Sequence, residues 1–163
     1  MPDDKQIAHQ RYLKEFERHV KHFTQLDEAL ETFGREHEFA LEKNQWRRPC
    51  RVLRKKGNPE YVIEISQEGN WHQIAYREDL PHTLGVVAYF VDEKNEQVYR
   101  KGEDIAYFVH FQTIQVNLKV YLDKALAHIK EWTPEVILRE GAKSEHPMAY
   151  WRRQGGIKVE TVD

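Results

Sequence analysis

Nine histidines in 163 residues make imidazole the first chemistry to consider, as metal ligand or as acid–base group near neutral pH. Glu15, His19 and His22 stand at steps of four and three, which puts them along one side of a helix. Such a trio supplies part of a zinc shell. No HExxH and no second ExxH pair completes it, so the trio remains a metal candidate with too few ligands and no metal is assigned. His19 also borders Phe16, Val20 and Phe23, where a histidine packed against apolar neighbours serves equally well.

A second group is His72, Tyr76, Arg77 and His82. Strand alternation places His72 with Ile74 and Tyr76, and Arg77, Glu78 and Asp79 crowd the strand end. A histidine in that setting can work as a general base or hold a small ligand. The plainer alternative is a structural histidine bonded to Gln67 across the strand pair. No nucleophile accompanies it: GxSxG, a glycine-rich phosphate loop and a Cys–His pairing are all missing. The chain therefore carries no recognisable catalytic motif and no cofactor signature. Cys50, expected on the inward strand face beside Val52 and Ile65, reads as a small core residue.

A third group is the basic run Arg47, Arg48, Arg51, Arg54, Lys55 and Lys56, with Trp46 beside it. Cations interleaved with an aromatic suit phosphates and stacked bases. Residues 44–58 carry a net charge of +6, however, and residues 59–111 carry −6. Internal pairing ranks ahead of a nucleic-acid partner. Near the C-terminus, Met148 to Arg153 form an aromatic–basic patch around Trp151, a residue type that dominates interface energetics.

The elements that must position these groups follow from periodicity. Leu13, Phe16, Val20, Phe23, Leu26, Leu30 and Phe33 predict helix over 4–43, continuous or broken, with Gly34 as a possible cap. From 46 to 101 the period changes to two. A hairpin at Gly57-Asn58 sets Arg51 against Glu64, Lys55 against Glu60, Val52 against Ile63 and Cys50 against Ile65. A second turn at Gly69-Asn70 sets Ile65 against Ile74 and Ile63 against Tyr76. Leu84–Val91 is an apolar strand that returns with Val91 facing Val98 and Phe90 facing Tyr99. About five strands in an antiparallel meander result.

Phe111, Ile114, Leu118, Leu122, Ala125, Ile129 and Trp132 form a helical stripe, read as a helix over 104–132 that Glu103 and Asp104 would cap. Residues 114–120 also alternate as a strand would. A further helix start at Thr133-Pro134 stops at Gly141, and 142–163 is expected as an extended or partly ordered tail. The expectation is one α+β domain over 1–163: a long N-terminal helical segment, a meander sheet, and a long C-terminal helix packed on it.

Composition narrows the function classes. The net charge of −2 gives no global pull toward nucleic acid or anionic membrane, and no apolar run suits a membrane helix. The single cysteine and the polar start Met1-Pro2-Asp3-Asp4 lead us to expect a cytoplasmic protein without a secretory signal. More amphipathic helix is present than one sheet face can cover. The leading expectation is thus a non-enzymatic binding or adaptor domain, a homodimer or part of a complex, with Phe16, Phe23 and Trp151 at its interface. The alternatives are a small-molecule site or small enzyme near His72, Tyr76, Arg77 and His82, and a nucleic-acid binder using residues 47–56.

Overall fold

Asp3 starts the first helix by reciprocal capping: its Oδ1 accepts the Gln6 N–H at 2.8 Å, and Gln6 Oε1 accepts the Asp3 N–H at 3.0 Å. The structure, a computed structural model, describes residues 2–44, 49–57, 60–68, 82–91, 97–100, 106–131, 136, 142–143 and 159–160. Helix α1 spans Asp4–His37. Its stripe buries His19, Phe23, Leu26, Leu30 and Phe33, whereas Phe16 and Val20 are half-buried and Leu13 is exposed.

The helix ends at His37, not at 43. Glu38 takes the left-handed conformation (φ 64°), and the Phe39 N–H returns to the Gly34 carbonyl at 2.8 Å. A Cβ on Gly34 would stand 2.6 Å from the Phe39 carbonyl oxygen, so this reversal requires glycine. The reversal frees Ala40–Asn44 to form the first strand, β1.

Strands β2 (Cys50–Lys55), β3 (Glu60–Glu68) and β4 (Thr83–Val91) follow, each antiparallel to its neighbour. The far edge of β4 is shared by β5 (Gln97–Arg100), along Phe90–Val91, and by β6 (Ala106–His110), along Thr83–Val87. Helix α2 spans Phe111–Glu131. Two short strands extend the edges: β7 (Ala142–Lys143) beside β5, and β8 (Val159–Glu160) parallel to β6. The fold is α+β: an N-terminal helix, an antiparallel sheet whose five longer strands are β1–β4 and β6, and a C-terminal helix packed on it. Leu53, Ile63, Ile65, Leu84, Val86 and Val109 of the sheet share one core with the stripes of both helices.

Several pairings differ from expectation. In the β2–β3 hairpin Arg51 faces Ile65, Val52 faces Glu64 and Cys50 faces Ser66, one residue away from the predicted register. The slip puts Arg51, Leu53, Ile63 and Ile65 on the helix-facing side, where Asp27 of α1 meets the arginine. Cys50 consequently leaves the Ile65 face. Beyond β3, Ile65 pairs with Val86 and Ile63 with Ala88, so β4 occupies the edge assigned to 71–76. Residues 71–76 themselves lie outside the described residues. Phe90 pairs with Val98 and Val91 with Gln97, again one residue from the expected register.

The stretch expected as the start of a helix at 104 is strand over Ala106–His110. β4 is buried on both faces and takes partners along both edges, and this segment supplies one of them. The helical stripe holds from Phe111 onward: Phe111, Ile114, Leu118, Leu122, Ala125 and Ile129 are buried. Asn117 interrupts it (φ −117°, ψ 24°), its side-chain amide donating to the Thr113 carbonyl at 3.2 Å. The helix start at Thr133-Pro134, its stop at Gly141 and most of the tail lie outside the described residues. Among the described residues, no helix is long and apolar enough to cross a membrane.

Candidate functional site

At one end of the sheet three chain segments meet. The α1 turns carrying Glu15, Arg18, His19 and His22 are the first. His82, immediately before β4, is the second. The third is the junction of β6 and α2, where His110 pairs in register with Thr83. The junction is pinned by backbone: the Phe111 N–H, first in α2, donates to the His82 carbonyl at 2.7 Å. That bond satisfies a helix-terminal donor without a Ser, Thr or Asp cap.

The rings pack in layers. His19 stacks on His82 with centroids 3.7 Å apart and planes 13° apart. His22 stacks on Phe111 at 3.8 Å and 2°, while Phe23 meets His82 edge-on at 5.9 Å. His22 and His82 face each other through their Nδ1 atoms, 2.8 Å apart, so one ring's N–H donates to the other's bare nitrogen. His110 Nδ1 lies 3.2 Å from Thr83 Oγ1.

Burial governs the charge state. It pushes His82 down to about 2, helped by neighbouring His19, His22 and Arg18. It pushes His19 down to about 3, with Arg18 and His22 adding to the effect. His22 is also lowered, by burial first and then by Arg18 and Lys21. Glu15 Oε2 lies 3.8 Å from His19 Nε2 but only 2.8 Å from the Arg18 guanidinium, which is its ion-pair partner. At neutral pH His19, His22 and His82 are therefore uncharged imidazoles beside the Arg18 guanidinium.

Arg18, His22, His82 and His110 line a cavity of about 430 Å³ together with Phe111 and Gln112 at the start of α2. The first turn of α2 holds no acidic residue, so the positive end of the helix dipole is uncompensated there. A hollow of similar volume, also about 430 Å³, lies between α1 and α2 over Ala29, Phe33, Leu118 and Leu122. Neither histidine nor arginine lines it.

The structure thus joins two groups that were separate in the sequence. Glu15, His19 and His22 lie together on α1 as their spacing predicts, and His82 of the second group completes their cluster. His72, Tyr76 and Arg77 lie outside the described residues. Arg18 and His110 were not among the sequence candidates, and Phe111 was read there only as part of a helical stripe. His110 owes its place to the β4–β6 register, which no local pattern reveals. For metal, the His19 ring covers the face of His82, so its nitrogens point along that plane and not toward the meeting point of His22 and His82. Among the described residues, no group of three or more His, Cys, Asp or Glu side chains is arranged to hold a metal ion.

Of the interface candidates, Phe23 is fully buried inside the chain, Phe16 is half-buried, and Trp151 lies outside the described residues. Cys50 is half-buried, with burial and then the Glu64 charge pushing its thiol up, away from nucleophilic character. Three members of the basic run, Arg51, Arg54 and Lys55, are engaged within the chain, though not with the predicted partners. Arg51 pairs with Asp27 at 2.6 Å, Arg54 with Glu42 at 2.9 Å and Glu60 at 3.5 Å, and Lys55 with Glu38 at 3.7 Å. Arg47 and Arg48 lie outside the described residues. Comparison with protein-family models, curated proteins and solved structures finds no match to this chain.

Proposed function

We propose that the chain binds a small anionic molecule in the cavity lined by Arg18, His22, His82 and His110. One observation carries this reading: a guanidinium and three imidazoles converge on one hollow at the N-terminal end of α2. Helix N–H groups and a guanidinium favour oxyanions by charge-assisted hydrogen bonds, each contributing about 1.5–3 kcal/mol. Glu15 holds one guanidinium nitrogen of Arg18 at 2.8 Å and so restrains the fork. At about 430 Å³ the hollow has room for an organic body as well as its anionic group. The test is a calorimetric and thermal-shift titration with inorganic phosphate at constant ionic strength. Phosphate is expected to raise the melting temperature beyond an equal ionic strength of chloride, and Arg18→Gln should weaken it about tenfold. Equal responses to phosphate and chloride would retire the reading.

A second reading, association with a second copy, is supported by the outer face of α2. There Val116 is 81% exposed and Val120, one turn on, is 41% exposed. Light scattering across micromolar to millimolar concentrations tests it. A dimer lost in Val116→Asp is expected, and a monomer throughout would end it.

A further inference from the structure

The two facing imidazoles carry information about the ligand, resting on the binding function proposed above. His22 and His82 share one proton between their Nδ1 atoms, and two arrangements satisfy that contact. The other nitrogen of His82 distinguishes the two. His82 is 5% exposed, and its Nε2 is fully enclosed with no hydrogen-bond partner among the described residues. If His22 donated, His82 would have to carry its proton on Nε2, burying an N–H with no acceptor. If His82 donates, Nε2 is a bare nitrogen. A buried acceptor left unpaired is better tolerated than an orphaned N–H donor, so the second arrangement is favoured.

We propose that His82 is a positioning residue: its Nδ1–H fixes His22 as the Nε2–H tautomer, making the cavity a set of donors selective for a phosphoryl oxyanion. With Nδ1 occupied, Nε2 is the His22 nitrogen left for a ligand, and it carries a proton. Phe111 stacks on the ring and holds its plane. The other polar side chains lining the hollow include the Arg18 guanidinium, one turn before His22 on α1, and Gln112 on α2. Donors spread over two helices suit the three oxygens of a tetrahedral phosphoryl group. A planar carboxylate is served by a single guanidinium fork and uses fewer of them.

The experiment is nitrogen-15 NMR of the histidine rings in the full chain at pH 7.5 without ligand, with signals assigned by single substitutions. His82 is expected as the Nδ1–H tautomer, the rarer form of a free neutral imidazole, and His22 as the Nε2–H tautomer. His22 protonated on Nδ1, or averaging between both forms, overturns the proposal even if phosphate binds. Affinity supplies the second arm. His82→Asn keeps an N–H for His22 and should stay within about threefold of the unmodified protein for inorganic phosphate, whereas His82→Phe should lose about tenfold. Acetate should bind the unmodified protein at least about tenfold more weakly than phosphate. Equal losses in the two variants, or equal affinity for acetate and phosphate, would also overturn it. A chain with the expected tautomers that binds no phosphate overturns the binding function itself.

Discussion

Acidification from pH 7 to pH 4 is expected to unfold the chain, driven mainly by His19 and His82. Both are neutral in the folded state because burial depresses them, to about 3 and about 2 respectively, while in the unfolded chain each titrates near 6.5. Below pH 6.5 the unfolded state therefore binds protons that the folded state refuses, and stability falls as pH falls. The full stability is present above the unfolded value and drains away toward the folded values. The other groups around the cluster do not reverse the sign: Arg18, Lys21 and half-buried His22 oppose protonation, and Glu15 is held by Arg18.

Each excluded proton costs roughly 1.4 kcal/mol per pH unit, so two histidines remove roughly 5–7 kcal/mol between pH 6.5 and 4. That is comparable to the whole stability of a typical domain, about 5–15 kcal/mol. Urea melts at pH 7, 6, 5 and 4 should give a slope approaching two protons. His82→Phe should reduce that slope by about one proton, because it removes one of the two sites. A stability that stays flat to pH 4.5 would show that the imidazoles accept protons in place, and the layered burial would then not govern their charge.

The same cluster shows which parts of the molecule were legible in the sequence. Helical spacing was enough to bring Glu15, His19 and His22 together, because a three- or four-residue step is a local contact. The stripes of α1 and α2 and the apolar run of β4 were legible for the same reason, since each pattern records its own burial. Registers were not. Two of the three predicted hairpin registers, β2 with β3 and β4 with β5, missed by one residue, and a one-residue slip exchanges the faces of a strand. For β2 and β3 the prediction weighed two exposed charge pairs, worth about 0.2–1 kcal/mol each, against no visible competitor. The competitor was Asp27, far away in sequence on α1. The meeting of His82 with His19 and His22 was hidden likewise, because it depends on where α1 packs against the end of the sheet, a contact between segments far apart in sequence.

Removal of either partner of the Arg51–Asp27 pair should cost about 3–5 kcal/mol, the other large effect expected. Arg51 is 1% exposed. Its Nε and Nη2 donate to the two Asp27 carboxylate oxygens at 2.6 and 3.2 Å, its Nη1 donates to the Cys50 carbonyl at 3.0 Å, and the guanidinium lies over the Phe23 ring at 5.4 Å. Asp27→Ala leaves that guanidinium buried without its counter-ion, and Arg51→Ala leaves both a carboxylate and a cavity. Lysine in place of Arg51 keeps the charge but loses the two-pronged fork, so it should recover little. Replacing both partners, Arg51→Met with Asp27→Leu, removes both desolvated charges together and should restore most of the loss. Glu64 provides the control. It accepts a hydrogen bond from the Tyr89 hydroxyl at 3.0 Å and stands opposite Val52. Adding Glu64→Lys to Arg51→Glu should therefore rescue nothing, whereas Asp27→Lys in the same background should show measurable coupling. Rescue through Glu64, or Arg51 variants within about 1 kcal/mol of the unmodified protein, would move Arg51 out of the helix–sheet interface and back to an exposed strand face.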